Sequence, residues 1–274
     1  MNNSISRELY GKETRFLLEL IQNADDNTYS CEYPELNFTY KKGSLRVDCN
    51  EIGFTENDVR ALCQIGRSTK TGLGRSTRYI GEKGIGFKSV FKVARMVYIH
   101  SRSFSFKLDP SQPVGIIAPV WAEFPEPTLP GYTSFYLLLA ENCNEEELVQ
   151  EVQGLDPTLL MFTRRLSQIN LMVIRDDGPP WTQKLRREVL SQDALAVTVI
   201  HRGSTSQSYV IFKHLVSQLP LEERRPGCSE SEILLAFPIA GSNMRPVSTT
   251  YPVYAFLPIR DYGFKVSYSC FILH

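Results

Sequence analysis

Two groups of residues in this chain have the types and spacing to handle a phosphate and a metal ion. The first is Gly81-Glu82-Lys83-Gly84-Ile85-Gly86, a G-x-x-G-x-G pattern that opens a run predicted to be helical from Phe87 to Ala94. Backbone N–H groups at the positive end of a helix bind anions, and glycine lets a ligand approach with no Cβ in the way. A tight strand-to-helix turn without a ligand would use the same glycines. The second group is Glu19-x-x-x-Asn23-x-x-Asp26. Spacing of i, i+4 and i+7 puts these three on one face of a helix, while Leu17, Ile21 and Ala24 make the apolar face. An amide oxygen can ligate Mg²⁺, which takes oxygen donors and keeps several waters. A carboxylate one turn away can orient or deprotonate an attacking water. The plain alternative is a solvated polar face.

The elements that must position these groups are legible from periodicity and turn residues. Residues 5–28 read as a helix. Glu35 to Tyr40 and Ser44 to Cys49 read as strands joined by a Lys-Lys-Gly turn. Thr55, with Asp58 three residues on, reads as a capping-box start to a helix through Ile65. Residues 66–80 lack apolar periodicity and read as a long functional loop, a lid. Strands follow at Met96–His100, Ser103–Leu108, Val114–Val120 and Ser134–Leu139, then a helix at Glu145–Gln153 and a short one from Pro157 to Phe162. This order predicts an α+β unit over 1–165: a mixed, mostly antiparallel sheet with helices on one face, a two-layer α/β sandwich. Beyond the boundary, 166–274 reads as a β-rich second domain with strands at Asn170–Arg175, Ala194–Arg202, Ser208–Lys213, Ser231–Pro238, Pro252–Leu257 and Lys265–Ile272. Gly203-Ser204-Thr205-Ser206 is a hairpin signal. The apolar ending Phe271-Ile272-Leu273-His274 reads as a piece of something longer.

Composition narrows the classes. Lys+Arg and Asp+Glu are 30 each, so the net charge is zero, which argues against broad nucleic-acid binding. Six cysteines (31, 49, 63, 143, 228, 270) form no C-x-x-C pair, which argues against zinc and suits reduced thiols in an intracellular, cytoplasmic or nuclear protein. Met1-Asn2-Asn3-Ser4 is no secretory signal, and the longest apolar run, Phe135 to Ala140, is too short to span a bilayer. The four histidines lie far from the motifs and form no ligand pair.

Taken together and in order, the motifs resemble those of the GHKL superfamily of ATP-binding domains (heat-shock-ninety chaperones, gyrases, MutL, histidine kinases, MORC proteins), with the wording of the sacsin-like and NO VEIN-like members. Glu19-x-x-x-Asn23-x-x-Asp26 resembles the N-box, Asn50-Glu51-Ile52-Gly53-Phe54 the first glycine box and Gly81-x-x-Gly84-x-Gly86 the second. Ser68-Thr69-Lys70 resembles the start of the ATP lid, and Gly131-Tyr132-Thr133-Ser134-Phe135 the late strand that carries a threonine to adenine. The resemblance covers about residues 7–140. It implies a Bergerat-type fold binding ATP and Mg²⁺, with Glu19 as general base, Asn23 as Mg²⁺ ligand, Asp26 supporting the metal waters, and Asp25 solvated. Phosphates would be cradled by Gly81, Gly84 and Gly86 with the N–H groups of Ile85 and Phe87. Lys83 and Lys88 are phosphate contacts or surface charges; Ser68, Thr69 and Lys70 would act from the lid. The box departs from the family: aligned on Gly53, an implied cofactor-binding residue, it has Cys49 where an aspartate reads adenine, leaving Asn50 or Asp48 for that role, while Thr133 would be a separate hydrogen-bond partner of adenine. The implied activity is slow ATP hydrolysis driving a conformational switch in a larger chaperone-like or signalling protein, with further domains and an ATP-dependent homodimer as partners. The rivals are a nucleotide sensor without hydrolysis, a histidine kinase, and an ATP-gated DNA clamp of the MutL or MORC kind.

Overall fold

The computed structural model describes residues 15–63, 87–112, 115, 118–192, 195–218, 230–241, 244–247, 252–255, 257–261 and 267–273. The lid segment 66–80 and Gly81, Lys83, Gly84, Ile85 and Gly86 lie outside them, as do Ser68, Thr69 and Lys70.

The first described element is helix α1, Arg15–Asp26. Phe16, Leu17, Leu20, Ile21 and Ala24 recur at i, i+3 and i+4 and are buried, so α1 is held chiefly by its apolar face. Strands β1 (Glu35–Lys41) and β2 (Ser44–Cys49) form a hairpin whose turn uses Gly43 at φ 78°. Helix α2 (Glu56–Cys63) starts with the expected capping box: Thr55 N–H donates to Asp58 Oδ2 at 2.9 Å, and Asp58 N–H reaches Thr55 Oγ1 at 3.4 Å. Phe87–Lys92 is a 3₁₀ turn, not the helix from Phe87 to Ala94 expected after the glycines. Ala94 instead opens β3 (Ala94–Ser101), which pairs with β4 (Phe104–Leu108) and with β6 (Thr133–Leu139). β5 is only Val120–Trp121, at the sheet edge. Helix α3 (Glu145–Gly154) is capped by Asn144, and a 3₁₀ turn, Pro157–Phe162, by Asp156.

The second half is strands: β7 (Gln168–Ile174), β8 (Trp181–Gln192), β9 (Leu195–Arg202), β10 (Thr205–Ser217), β11 (Glu230–Ala240), β12 (Arg245–Pro246), β13 (Pro252–Ala255), β14 (Leu257–Asp261) and β15 (Ser267–Leu273). β9 and β10 are joined across Gly203 and Ser204, with Gly203 at φ 57°, as the turn signal predicted.

The expected two-layer α/β sandwich does not form. Among the described residues the chain is mostly β, and all 15 strands belong to one mixed sheet in the order β14-β13-β15-β11-β10-β9-β8-β7-β1-β2-β6-β3-β4-β5, with β12 on β11. The cause is β7: it pairs in parallel with β1 over seven residues, Glu35↔Gln168 to Lys41↔Ile174, so the ladder runs unbroken from the first half into the second. The three α-helices among the described residues, of 12, 8 and 10 residues, are too short and scattered to form a layer over such a sheet. One large core joins α1, the inward residues of β1, β2, β3, β6 and β7, α3 and the 157–162 turn, and reaches Ile200, Tyr209 and Leu234. No helix among the described residues is long and apolar enough to cross a membrane.

Candidate functional site

A cavity of about 250 Å³ opens where the C-terminal end of α1 meets the ends of β2 and β6. One wall is Leu20, Asn23, Ala24, Asp26 and Asn27 of α1 and its exit. The floor is Leu36, Val47, Cys49 and Phe135 from three neighbouring strands; the loop Glu51–Thr55 and Asp58, Ala61 and Leu62 of α2 close another side, with Phe87 across from them. Phe135 meets Phe87 at 5.4 Å between ring centroids and Phe54 edge-on at 6.2 Å, so the floor is a rigid aromatic surface. A concave, mostly apolar cavity with a few polar groups is the usual make-up of a small-molecule site.

Gly53 turns the loop at the end of β2. Its φ is 87°, and a Cβ there would lie 2.6 Å from Cγ of Arg102, so only glycine fits. Arg102 in turn donates from Nε to the carbonyl of Ile52 at 2.6 Å. The loop is further tied by Ile52 N–H to the Thr28 carbonyl at 2.9 Å and by Phe54 N–H to Ser101 Oγ at 2.8 Å.

The buried carboxylate at the cavity is Glu51. It is 7% exposed and accepts a hydrogen bond from Thr133 Oγ1, which is itself 2.6 Å from Ser101 Oγ. Glu51, Thr133, Ser101 and the Phe54 N–H therefore form one chain of hydrogen bonds from the cavity into the β3–β6 seam. The two residues that sequence reasoning offered for base recognition are not brought to the cavity. Asp48 is turned to the opposite face of β2, where both its oxygens meet Arg46 Nε (3.0 and 2.9 Å) and Ser134 Oγ donates to it. Asn50 is engaged at the entry to β1: its Oδ1 accepts from Glu35 N–H at 2.8 Å, and its Nδ2 donates to the Tyr33 carbonyl. Strand parity is the signal that finds Glu51. Val47 and Cys49 face the cavity, so residue 51 continues on their side, and 48 and 50 on the other.

Of the remaining predicted residues, Asn23, Asp26, Gly53 and Phe87 line the cavity. Thr133 sits just behind it. Glu19, one turn before Asn23, is half-buried and outside the described lining. Lys88 is half-buried in the 3₁₀ turn, also outside that lining. Asp25 is not solvated: it is 2% exposed. Cys49 Sγ lies 3.2 Å from Tyr29 Oη, and burial is the main force pushing the thiol up to about 12. The Tyr29 phenol is likewise raised, by burial first and then by Cys49. The floor of the cavity is thus largely apolar, burial disfavours charge on Cys49, and Glu51 is the buried carboxylate in the loop beside it.

No family model matches this chain. It is 33% identical to Protein NO VEIN of Arabidopsis thaliana over 287 residues, which take in 95% of this chain and 10% of that protein. A shorter part is 37% identical over 120 residues to Chaperone protein HtpG of Actinobacillus succinogenes (35% of this chain, 19% of that one). It is also 32% identical over 120 residues to the mitochondrial Heat shock protein 75 kDa of Rattus norvegicus, covering 36% of this chain and 17% of that protein. The chain therefore spans from a tenth to a fifth of these relatives. Nearly all of it is related in sequence to a NO VEIN protein, and about a third to heat-shock chaperones.

Proposed function

We propose that the cavity beside α1 binds an adenine nucleotide, ATP with Mg²⁺, and that the chain is the nucleotide-binding part of a larger chaperone-type or signalling ATPase. The observation that carries this reading is the joining, in one cavity, of Asn23 and Asp26 from the predicted N-box with the loop at Gly53 and the Glu51–Thr133 pair. An apolar aromatic floor suits a base, and a buried carboxylate at its rim suits an exocyclic amino group, which offers two donors and accepts poorly. The likeness to heat-shock chaperones over a third of the chain supports the same class.

For Mg²⁺, the donors at hand are the Asn23 amide and the Asp26 carboxylate, both oxygen ligands at the cavity wall. Among the described residues no group of three or more His, Cys, Asp or Glu could hold a metal alone. Such a sparse set fits Mg²⁺, which is usually held by one or two side chains together with phosphates and water. Bound there, Mg²⁺ would neutralise phosphate charge. Glu51, held by Thr133, would orient the base; the apolar floor would exclude water from it; and Glu19 would polarise the attacking water from its place one turn before Asn23. Gly81, Lys83, Gly84, Ile85 and Gly86 keep their proposed phosphate role, as do Ser68, Thr69 and Lys70 from the lid.

A second reading, nucleotide sensing without hydrolysis, is favoured by one fact: Glu19 is outside the described lining of the cavity. Calorimetry with ATP, ADP and GTP, with and without Mg²⁺, tests binding, and phosphate release tests turnover. Asn23→Ala is expected to abolish Mg²⁺-dependent binding, while Glu19→Ala keeps binding and loses hydrolysis. Wild-type hydrolysis in both variants would overturn these roles; binding with no phosphate release from the wild type would leave the sensor.

A further inference from the structure

Asp25 sits between two cavity-lining residues, Ala24 and Asp26, yet its carboxylate works on the other side of the helix. It accepts N–H bonds from three consecutive residues: Arg164 to Oδ2, Arg165 to Oδ1 and Leu166 to Oδ1, each at 2.8 Å. The same segment grips α1 in return. The Arg165 guanidinium donates to the carbonyls of Asp26 (3.0 Å) and Asn27 (2.8 Å), the last of the helix and the first beyond it. Arg164 approaches Asp26 at 3.7 Å. Behind this seam, Thr163 Oγ1 bonds the carbonyls of Leu160 and Leu166, and Arg187 of β8 donates to those of Leu160 and Thr163. Leu166 leads straight into β7, tied by Ser167 N–H to the Pro34 carbonyl at 3.0 Å and by Arg187 N–H to the Ser167 carbonyl at 2.8 Å.

We infer that Asp25 is a coupling residue, joining the cavity end of α1 to the 160–166 turn and through it to β7 and β8. The inference rests on the nucleotide reading of the cavity and adds how occupancy reaches the second half of the sheet. Asn23 and Asp26 are two residues before and one after Asp25, so within a turn of helix any ligand that fixes them fixes Asp25 too. A carboxylate accepting three N–H bonds holds its partners in one geometry and has no slack for α1 to shift alone. Binding and coupling are reciprocal: whatever the seam contributes to nucleotide affinity, the nucleotide contributes to the seam. Asp25→Asn replaces one acceptor oxygen by an amide that faces N–H donors, so at least one of the three bonds is lost.

The test is amide hydrogen exchange of Arg164, Arg165 and Leu166 in the 274-residue chain, free and saturated with ATP and Mg²⁺, with calorimetry alongside. Saturation is expected to slow exchange of these amides by about tenfold or more, within the usual range of coupling between sites. Asp25→Asn is expected to bind ATP more weakly and to lose that nucleotide-dependent slowing. Should Asp25→Asn not fold, Arg165→Gln changes an exposed side chain and loosens only the guanidinium half of the seam; its slowing should be smaller than in the wild type. Unchanged exchange in a wild-type protein that binds ATP overturns the coupling and leaves the nucleotide reading standing. A wild-type protein that binds no nucleotide overturns that reading, and the coupling with it.

Discussion

Asp48 and Glu51 are two buried carboxylates three residues apart, 3% and 7% exposed, the first in β2 and turned away from the cavity, the second two residues past the end of β2 and lining it. Asp48 faces a cation. Arg46 holds both its oxygens, reaches Glu126 Oε2 at 3.1 Å and the Pro127 carbonyl at 2.9 Å, and lies 5.4 Å over the Phe124 ring. Burial works against the guanidinium charge, and Asp48 and Glu126 outweigh it, so Arg46 stays firmly protonated. Glu51 faces hydroxyls and a cavity. A carboxylate already matched to a guanidinium fixes a loop, here residues 124–127 over the sheet. One that accepts from a threonine hydroxyl at the edge of a cavity lies where a ligand can meet it. The same residue class, one strand parity apart, is structural in one place and a candidate binding group in the other.

The largest effect that sharpens this contrast is expected at Arg46. Arg46→Met leaves Asp48 without its cation in a poorly solvated site and Glu126 with Lys41 as its cation partner, and removing one partner of a buried pair costs about 3–5 kcal/mol. A value near the low end is expected, since the Arg46 side chain keeps 11% exposure. Urea unfolding measures it. Nucleotide affinity of the folded fraction should be unchanged, because this network lies across the sheet from the cavity. A stable variant with weakened binding would dissolve the distinction between the two faces.

Glu51→Gln should do the reverse. The amide oxygen still accepts from Thr133, so stability is expected to fall by only about 1 kcal/mol. Losing a charged acceptor for an amino group should weaken ATP binding by about 10- to 100-fold, the equivalent of one hydrogen bond to a charged group. A glutamine can also present its NH₂ to a carbonyl, so GTP should gain on ATP. Calorimetry with both nucleotides on wild type and variant gives the answer; an unchanged ratio and affinity would remove Glu51 from base recognition.

What could be read from the sequence follows from how local each signal is. The Thr55–Asp58 cap, the Gly203 turn and the alternation of Leu36, Phe38 and Tyr40 are set within a few residues, and all form. β8 was missed because Trp-Thr-Gln-Lys-Leu-Arg-Arg-Glu carries its charges on both sides; Arg187 is drawn inward by the carbonyls of Leu160 and Thr163, which no local pattern announces. The fold class was misread for the same reason. Parallel pairing of β1 with β7 joins residues more than 130 apart, and it carries the sheet of the expected two-layer sandwich on into the second half of the chain. At the candidate site, motif spacing points to Asn23, Asp26 and Gly53, which line the cavity, whereas aligning the box on Gly53 points to Asp48 and Asn50, which do not. The alternation of β2, continued two residues past its end, points to Glu51. Among the described residues, the hydrogen-bond partners of the Asp25 carboxylate lie in a segment 139 to 141 residues away.

The smallest expected effect tests whether the cavity face of β2 is as dry as the contrast requires. Cys49 lies between Asp48 and Glu51, and its thiol is pushed up to about 12 from 9.0, by burial first, with Glu51 adding repulsion and the Tyr29 hydrogen bond opposing. In the unfolded chain the thiol ionises near its ordinary value. Below about pH 9 both states hold the proton and Cys49 gives no pH dependence. Between about 9 and 12 the unfolded state releases it first, so stability should fall with rising pH by up to about 1.4 kcal/mol per unit from this group. The readout is the difference in slope between wild type and Cys49→Ala in urea unfolding from pH 8 to about pH 10.5, which cancels the shared titration of other groups. Combined with Glu51→Gln, the wild-type slope should soften, because one source of repulsion on the thiolate is gone. Equal slopes in wild type and Cys49→Ala would mean that water reaches this floor, and a watered floor would not hold a base against Phe135.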